Sequence, residues 1–124
     1  MAVAPQPDFA LDHVQLAIPP GQEPAAREYW VELVGLTEVG RPAELAARGG
    51  VWLTGEALEL HLGVQSPFTP AGKAHPGIMV RDFDLLRDRL VRAGHPARDA
   101  TDIPGRRRFH TQDPFGNRIE FIAF

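Results

Sequence analysis

The stretch Asp113-Pro114-Phe115-Gly116-Asn117-Arg118-Ile119-Glu120-Phe121 is a turn running into a strand. Pro114 fixes its own φ, Gly116 tolerates a left-handed backbone, and Asp113 and Asn117 can bond to neighbouring amides, so the first five residues predict a hairpin turn. In the strand, Ile119-Glu120-Phe121 sets one carboxylate between two apolar residues. The same triplet occurs earlier as Leu58-Glu59-Leu60, within a segment Ala57 to Val64 that turns Leu58, Leu60 and Leu62 to one face and Glu59 and His61 to the other.

Working outward from the two triplets exposes a duplication, the feature to look for before any fold assignment. In each half a strand opened by a histidine is followed by a helix closed by glycine, then by the apolar-Glu-apolar strand. His13, Gly35 and Glu59 mark the first half, and His75, Gly94 and Glu120 the second. The spacings agree: 22 and 19 residues from His to Gly, then 24 and 26 from Gly to Glu.

Periodicity defines the segments between these markers. Phe9 to Ile18 ends in alternation, with Val14, Leu16 and Ile18 on one face, and predicts a strand. From Pro24, the residues Ala26, Tyr29, Trp30, Leu33 and Val34 recur at helical spacing, and Gly35 supplies the stop. Thr37 to Arg41 predicts a short strand, Pro42 to Arg48 a helical turn, and Val51 to Thr54 a strand after the Gly49-Gly50 break. Ser66 to Gly72 is a connector. His75 to Val80 alternates again, and a second helix comes next with Phe83, Leu86, Leu90 and Ala93 as its buried stripe. Asp82 or Asp84 is placed to cap that helix, and Gly94 with Pro96 to end it. Strands are expected around Ala97 to Ala100, Arg107 to Gln112 and Arg118 to Phe124. The fold expected is α+β: one domain over 1–124, with βαβββ modules at 9–64 and 75–124 forming a curved mixed sheet with helices on its outer face.

Composition narrows the functions open to such a chain. The sequence has 124 residues, 44% hydrophobic and 23% charged, which suits one globular domain. No apolar run reaches the ~20 residues of a membrane span, and residues 1–8 carry no secretion-signal pattern, so the cytoplasm is the expected location. With no cysteine, any metal must be held by nitrogen and oxygen. A net charge of -3 argues against nucleic acid as a partner and favours a small molecule.

Both histidines and both glutamates lie opposite the apolar faces that the helices must cover. Duplication brings them together wherever the open faces of the modules meet, and imidazole nitrogen with carboxylate oxygen suits zinc, nickel, cobalt, manganese or iron. The competing role for each histidine is a hydrogen-bonded strand-edge residue, and for each glutamate a partner of nearby arginines.

Four pieces carry a resemblance: Asp12-His13-Val14-Gln15-Leu16, Ala57-Leu58-Glu59-Leu60, Ala74-His75 ahead of an alternating strand, and Asp113 through Glu120. Through their order and spacing the chain resembles the vicinal oxygen chelate family over nearly its whole length. The resemblance implies a divalent metal held by His13, Glu59, His75 and Glu120, either within one chain or between the two chains of a homodimer. It also implies a glyoxalase-like lyase or isomerase acting on a small molecule with adjacent oxygens, in which Glu120, or else Glu59, shuttles the proton. Leu60-His61-Leu62-Gly63 departs from the Leu-Thr-(His/Tyr)-Asn-Trp-Gly continuation of glutathione-dependent glyoxalase I, which argues against a glutathione adduct. Two rival expectations come with the same resemblance. One is a metal-free drug-binding protein of the bleomycin-resistance type, and the other an extradiol dioxygenase-like or fosfomycin-modifying enzyme with three protein ligands.

Around these residues, His61 can serve as a fifth ligand, orient Glu59 or line the pocket, and lining is the expected role. His110 and Arg108 are expected to face the cavity from the strand beside Glu120, with Arg108 able to hold a substrate anion. Trp52 and Phe68 are expected as pocket walls, whereas Tyr29 and Trp30 belong to the core.

Overall fold

A computed structural model describes residues 2–124. Strand β1 (Val14–Ile18) leads into helix α1 (Glu23–Arg27), which widens into a π-helical segment over Glu28–Leu33. Then come β2 (Thr37–Val39), α2 (Ala43–Ala46), β3 (Val51–Thr54) and β4 (Glu59–Val64). The second module repeats the order with β5 (Gly77–Val80), α3 (Phe83–Arg92), β6 (Arg98–Ala100), β7 (Arg108–Gln112) and β8 (Arg118–Ala123). The sheet is in two four-stranded parts, β1-β4-β3-β2 and β5-β8-β7-β6, so each module keeps its own ladder. Within each, the first and last strands run parallel, β1 with β4 and β5 with β8, and the other pairs are antiparallel.

This register places the repeat residues. β1 begins at Val14, opposite Leu60, later than the Phe9 start expected from sequence, because β4 itself begins only one residue before Leu60 and leaves residues 9–12 without a partner strand. Phe9 and Leu11 are consequently exposed. β5 begins at Gly77, opposite Glu120, whose amide donates to the Pro76 carbonyl at 3.0 Å. His13 therefore stands immediately before β1, and His75 two residues before β5.

The core is drawn from both modules. Ile18, Trp30, Leu53 and Leu60 from the first, and Leu90, Phe109 and Ile119 from the second, are fully buried. Tyr29 and Trp30, neighbours in sequence, are both buried and pack edge to face with centroids 4.9 Å apart. The segment that carries them is π-helical, with the Val34 amide bonding back to the Tyr29 carbonyl at 2.8 Å. On α3, Phe83, Leu86 and Leu90 are buried as the spacing predicts, but Ala93 is exposed because the helix has already ended at Arg92. The expected side-chain cap is also missing: Asp82 makes no capping bond, and both Asp84 oxygens are taken by Arg107, at 2.6 and 3.1 Å.

The predicted hairpin turn is present and does more than join β7 to β8. Asp113 Oδ1 accepts from the amides of Phe115 and Asn117 at 3.0 and 2.9 Å. The two amide hydrogens of Asn117 Nδ2 serve Asp113 Oδ2 and the Ala17 carbonyl, each at 2.9 Å. Ala17 lies in β1, so this turn ties the second module to the first strand of the other.

Candidate metal centre

The four repeat residues divide two and two within the protomer, each pair gaining one further histidine. His13, Glu59 and His61 offer ligand atoms all within 4.8 Å of one another, and so do His75, His110 and Glu120. The two groups share no member.

In the second module the register explains the gathering. His110 is directly opposite Glu120 across the antiparallel pair β7–β8, and His75 reaches the same carboxylate from two residues before Gly77, its cross-strand neighbour. His75 Nδ1 is 2.9 Å from the Lys73 carbonyl, which can only accept, so Nδ1 carries the proton. A neutral His75 ring then presents the lone pair of Nε2 to Glu120 Oε1, 3.1 Å away. Two acceptors at that distance require a cation between them: a second proton on the ring, or a metal ion. His110 Nε2 lies 3.6 Å from the same oxygen, with its ring nearly perpendicular to that of His75.

Arg108, also on β7, donates from Nη1 to Glu120 Oε2 at 2.7 Å, and its Nη2 engages Asp102. Burial pushes the Glu120 carboxyl upward, but the bonds from Arg108 and His75 outweigh it and hold the group below its ordinary range. Burial also lowers the His110 pKa, with Glu120 opposing that shift, which leaves the imidazole disposed to stay neutral and available as a donor of electrons.

The first module differs in detail. Asp12 Oδ2 lies 2.8 Å from His13 Nδ1, so that nitrogen donates and Nε2 is left with its lone pair, the arrangement by which a carboxylate fixes the tautomer of a metal-ligating histidine. His61, expected as lining, is the middle layer of a three-ring stack. Trp52 lies on one side at 4.1 Å and 7° between planes, His13 on the other at 4.1 Å and 20°. Its Nε2 is buried without a hydrogen-bond partner, and burial, with His13 adding, keeps its pKa low. Glu59 takes part in none of the ion pairs among the described residues.

Of the remaining expected site residues, Trp52 stands in that stack, and Phe68 is half-buried in the connector, stacked on neither group's imidazoles. Of the adjacent arginines Arg106, Arg107 and Arg108, Arg108 alone turns to Glu120. Arg107 turns to α3, and both line a cavity of about 620 Å³ that contains no histidine of either group. Asp12 and the Lys73 carbonyl were missed by sequence reasoning. An acidic residue directly before His13 was the available signal for the first, whereas a backbone acceptor leaves none.

Two βαβββ modules, each with a histidine-carboxylate group beside its parallel strand pair, define a duplicated-module protein. No protein-family model and no curated protein matches the sequence. Among solved structures, a protein from Bacillus anthracis assigned to the glyoxalase family superposes with a TM-score of 0.90 at 39% identity, covering 97% of this chain and 98% of that one. The chain belongs to the glyoxalase family of the vicinal oxygen chelate superfamily. The same fold is found in the fosfomycin resistance protein FosX of Listeria monocytogenes, with a TM-score of 0.74, 12% identity and 94% of both chains covered. It also occurs in TnmS3, an antibiotic-binding protein of a Streptomyces species, with a TM-score of 0.65, 22% identity and coverage of 94% and 98%. No helix among the described residues is long and apolar enough to cross a membrane.

Proposed function

We propose that the protein is a divalent-metal-dependent lyase or isomerase of glyoxalase type, acting on a small molecule that presents adjacent oxygens. The reading is carried by the meeting of His75 Nε2 and Glu120 Oε1 at 3.1 Å beside His110, with the other ring nitrogen of His75 committed to the Lys73 carbonyl. The donor set fits a first-row divalent ion, with His75, His110 and Glu120 holding it in the second module. Bound there, such an ion supplies Lewis-acid polarisation of a substrate carbonyl.

The chain's own residues do the rest. Glu120 moves the substrate proton, and Arg108 fixes its orientation through Oε2. Glu59 is the second carboxylate available for that role. In exchange for Asp102, the Arg108 guanidinium can take a substrate carboxylate or phosphate, and Trp52 with His61 gives a flat wall on the first module.

A second arrangement, in which His13 and Glu59 of a second copy close on His75 and Glu120, is favoured by the equivalence of the two pairs in the duplicated register. Exposed Phe9, Leu11 and Phe124 are consistent with such a homodimer.

The rivals are a metal-free drug-binding protein, as the likeness to an antibiotic-binding protein allows, and a fosfomycin-modifying or dioxygenase-like enzyme. The test is metal analysis of protein purified without an affinity tag, repeated on His75→Ala and Glu120→Gln. Bound metal that falls in both variants supports the enzyme; folded protein that takes up none from excess zinc, nickel, cobalt, manganese or iron supports the binding protein. Turnover of methylglyoxal-glutathione hemithioacetal by loaded protein then separates glyoxalase I chemistry from other substrates.

A further inference from the structure

We infer that the second module carries a separate binding site for a small phosphate monoester, in the cavity between α3, β6 and the loop that joins β6 to β7. The inference does not rest on the proposed lyase or isomerase chemistry, because the cavity contains no histidine of either metal-ligand group. Its volume of about 620 Å³ suits a small molecule.

Four guanidinium-bearing residues line this one space. Strand alternation alone would scatter Arg106, Arg107 and Arg108, but the turn from Ile103 to Arg106 keeps all three at the cavity, and α3 adds Arg87 from the opposite wall. Two of the four are held only by exposed partners. Arg87 pairs with Asp99 at 3.1 Å and Arg107 with Asp84 at 2.6 Å, and the two aspartate side chains are 60% and 73% exposed. Such pairs are weak in water, so a phosphate dianion shared among several guanidinium forks displaces single carboxylates. The other two have donors to spare. Arg106 enters none of the ion pairs among the described residues. Arg108 gives Nη1 to Glu120 and Nη2 to Asp102, yet its Nε is buried without an acceptor, a deficit that a ligand oxygen relieves.

The rest of the wall decides what the phosphate is attached to. Phe83, Ala100, Ile103 and Pro104 line the same cavity, and the Arg107 guanidinium lies over the Phe83 ring, 4.8 Å from its centroid. Ile103 is exposed, so covering it removes apolar surface from water. The ligand is therefore a phosphate joined to an apolar or aromatic body, and inorganic phosphate alone leaves this half of the cavity unfilled. Through Arg108 an occupied cavity and Glu120 share one guanidinium, which links the site to the metal group without making it part of that group.

Phenyl phosphate is the probe, titrated calorimetrically into tag-free protein at low salt. The expected result is one molecule per chain, bound more tightly than inorganic phosphate. Arg106→Ala and Arg87→Ala, both at solvent-accessible positions, are each expected to weaken binding by about fivefold or more. Asp84→Asn removes the competitor for Arg107 and is expected to tighten it by about threefold, a change of sign that damage to the fold would not produce. Asp88→Asn, on the same helix but outside the cavity, and His75→Ala, in the metal group, are expected to leave the affinity unchanged. Affinity lost in His75→Ala and kept in Arg106→Ala places the phosphate at the histidine-carboxylate group and overturns the inference. Equal affinities in Arg106→Ala, Arg87→Ala and wild type overturn it, as does the lack of saturable binding at millimolar phenyl phosphate. Inorganic phosphate binding as tightly as phenyl phosphate overturns the assignment of an apolar body to the ligand.

Discussion

Arg108 Nη1 lies 2.7 Å from Glu120 Oε2, and both side chains are about nine-tenths buried. A pair so enclosed is strongly coupled: removing one partner leaves a charge that water cannot reach. Arg108→Met, which keeps much of the side-chain volume, is expected to destabilise the metal-free protein. Since a divalent ion can replace the lost positive charge, Zn²⁺ is expected to raise the melting temperature of Arg108→Met by more than it raises that of the wild type. Thermal scans of the two proteins with EDTA and with Zn²⁺ check this. An equal shift in both contradicts metal binding at Glu120.

Asn117 joins the modules through one carboxamide. Asn117→Ala removes its bonds to Ala17 and Asp113 and leaves Asp113 Oδ2, in a buried carboxylate, without that donor. The expected loss is about 1–3 kcal/mol in urea unfolding. A loss below a few tenths of a kcal/mol would mean that the modules are held by apolar packing alone.

Gly50 and Gly21 both have positive φ, at +92° and +75°, but their surroundings differ. A Cβ at Gly50 would come within 2.3 Å of the Leu62 carbonyl oxygen, while one at Gly21 meets nothing within 4 Å. Gly21→Ala is expected to cost only backbone strain, about 1 kcal/mol. Gly50→Ala adds a clash with the β4 backbone and is expected to cost distinctly more, as denaturant midpoints of the two variants would show.

Acid should loosen the first module at a defined place. The Gly50 amide, 2.9 Å from Glu23 Oε2, lowers the Glu23 carboxyl from its ordinary 4.5. Because the folded-state value lies below the unfolded one, the carboxylate's contribution is present above about pH 4.5 and is lost as pH falls through the folded-state value. The difference in urea midpoint between wild type and Glu23→Gln is therefore expected to shrink as pH falls below 4.5. A difference that grows instead contradicts this sign.

The order of strands and helices was legible because periodicity and turn residues agree along the chain: Leu58, Leu60 and Leu62 alternate, Gly35 and Gly94 stop helices, and Asp113 to Asn117 turns. The start of β1 was not, since Phe9 and Leu11 read as apolar strand residues until the lack of a partner for that stretch is known. The histidines and glutamates were visible through duplication, but not their division into two groups, which depends on how far apart the two sheets stand. The roles of His61 and His110 depend on cross-strand neighbours, Trp52 for one and Glu120 for the other, and no spacing along the chain reveals these.

The most direct test is a crystal of the cobalt-loaded protein measured at the cobalt absorption edge. An anomalous peak is expected between His75 Nε2 and Glu120 Oε1, with His110 in its coordination sphere. A map without a peak at either histidine-carboxylate group, with His75 still bonded directly to Glu120 at millimolar Co²⁺, would contradict the metal centre.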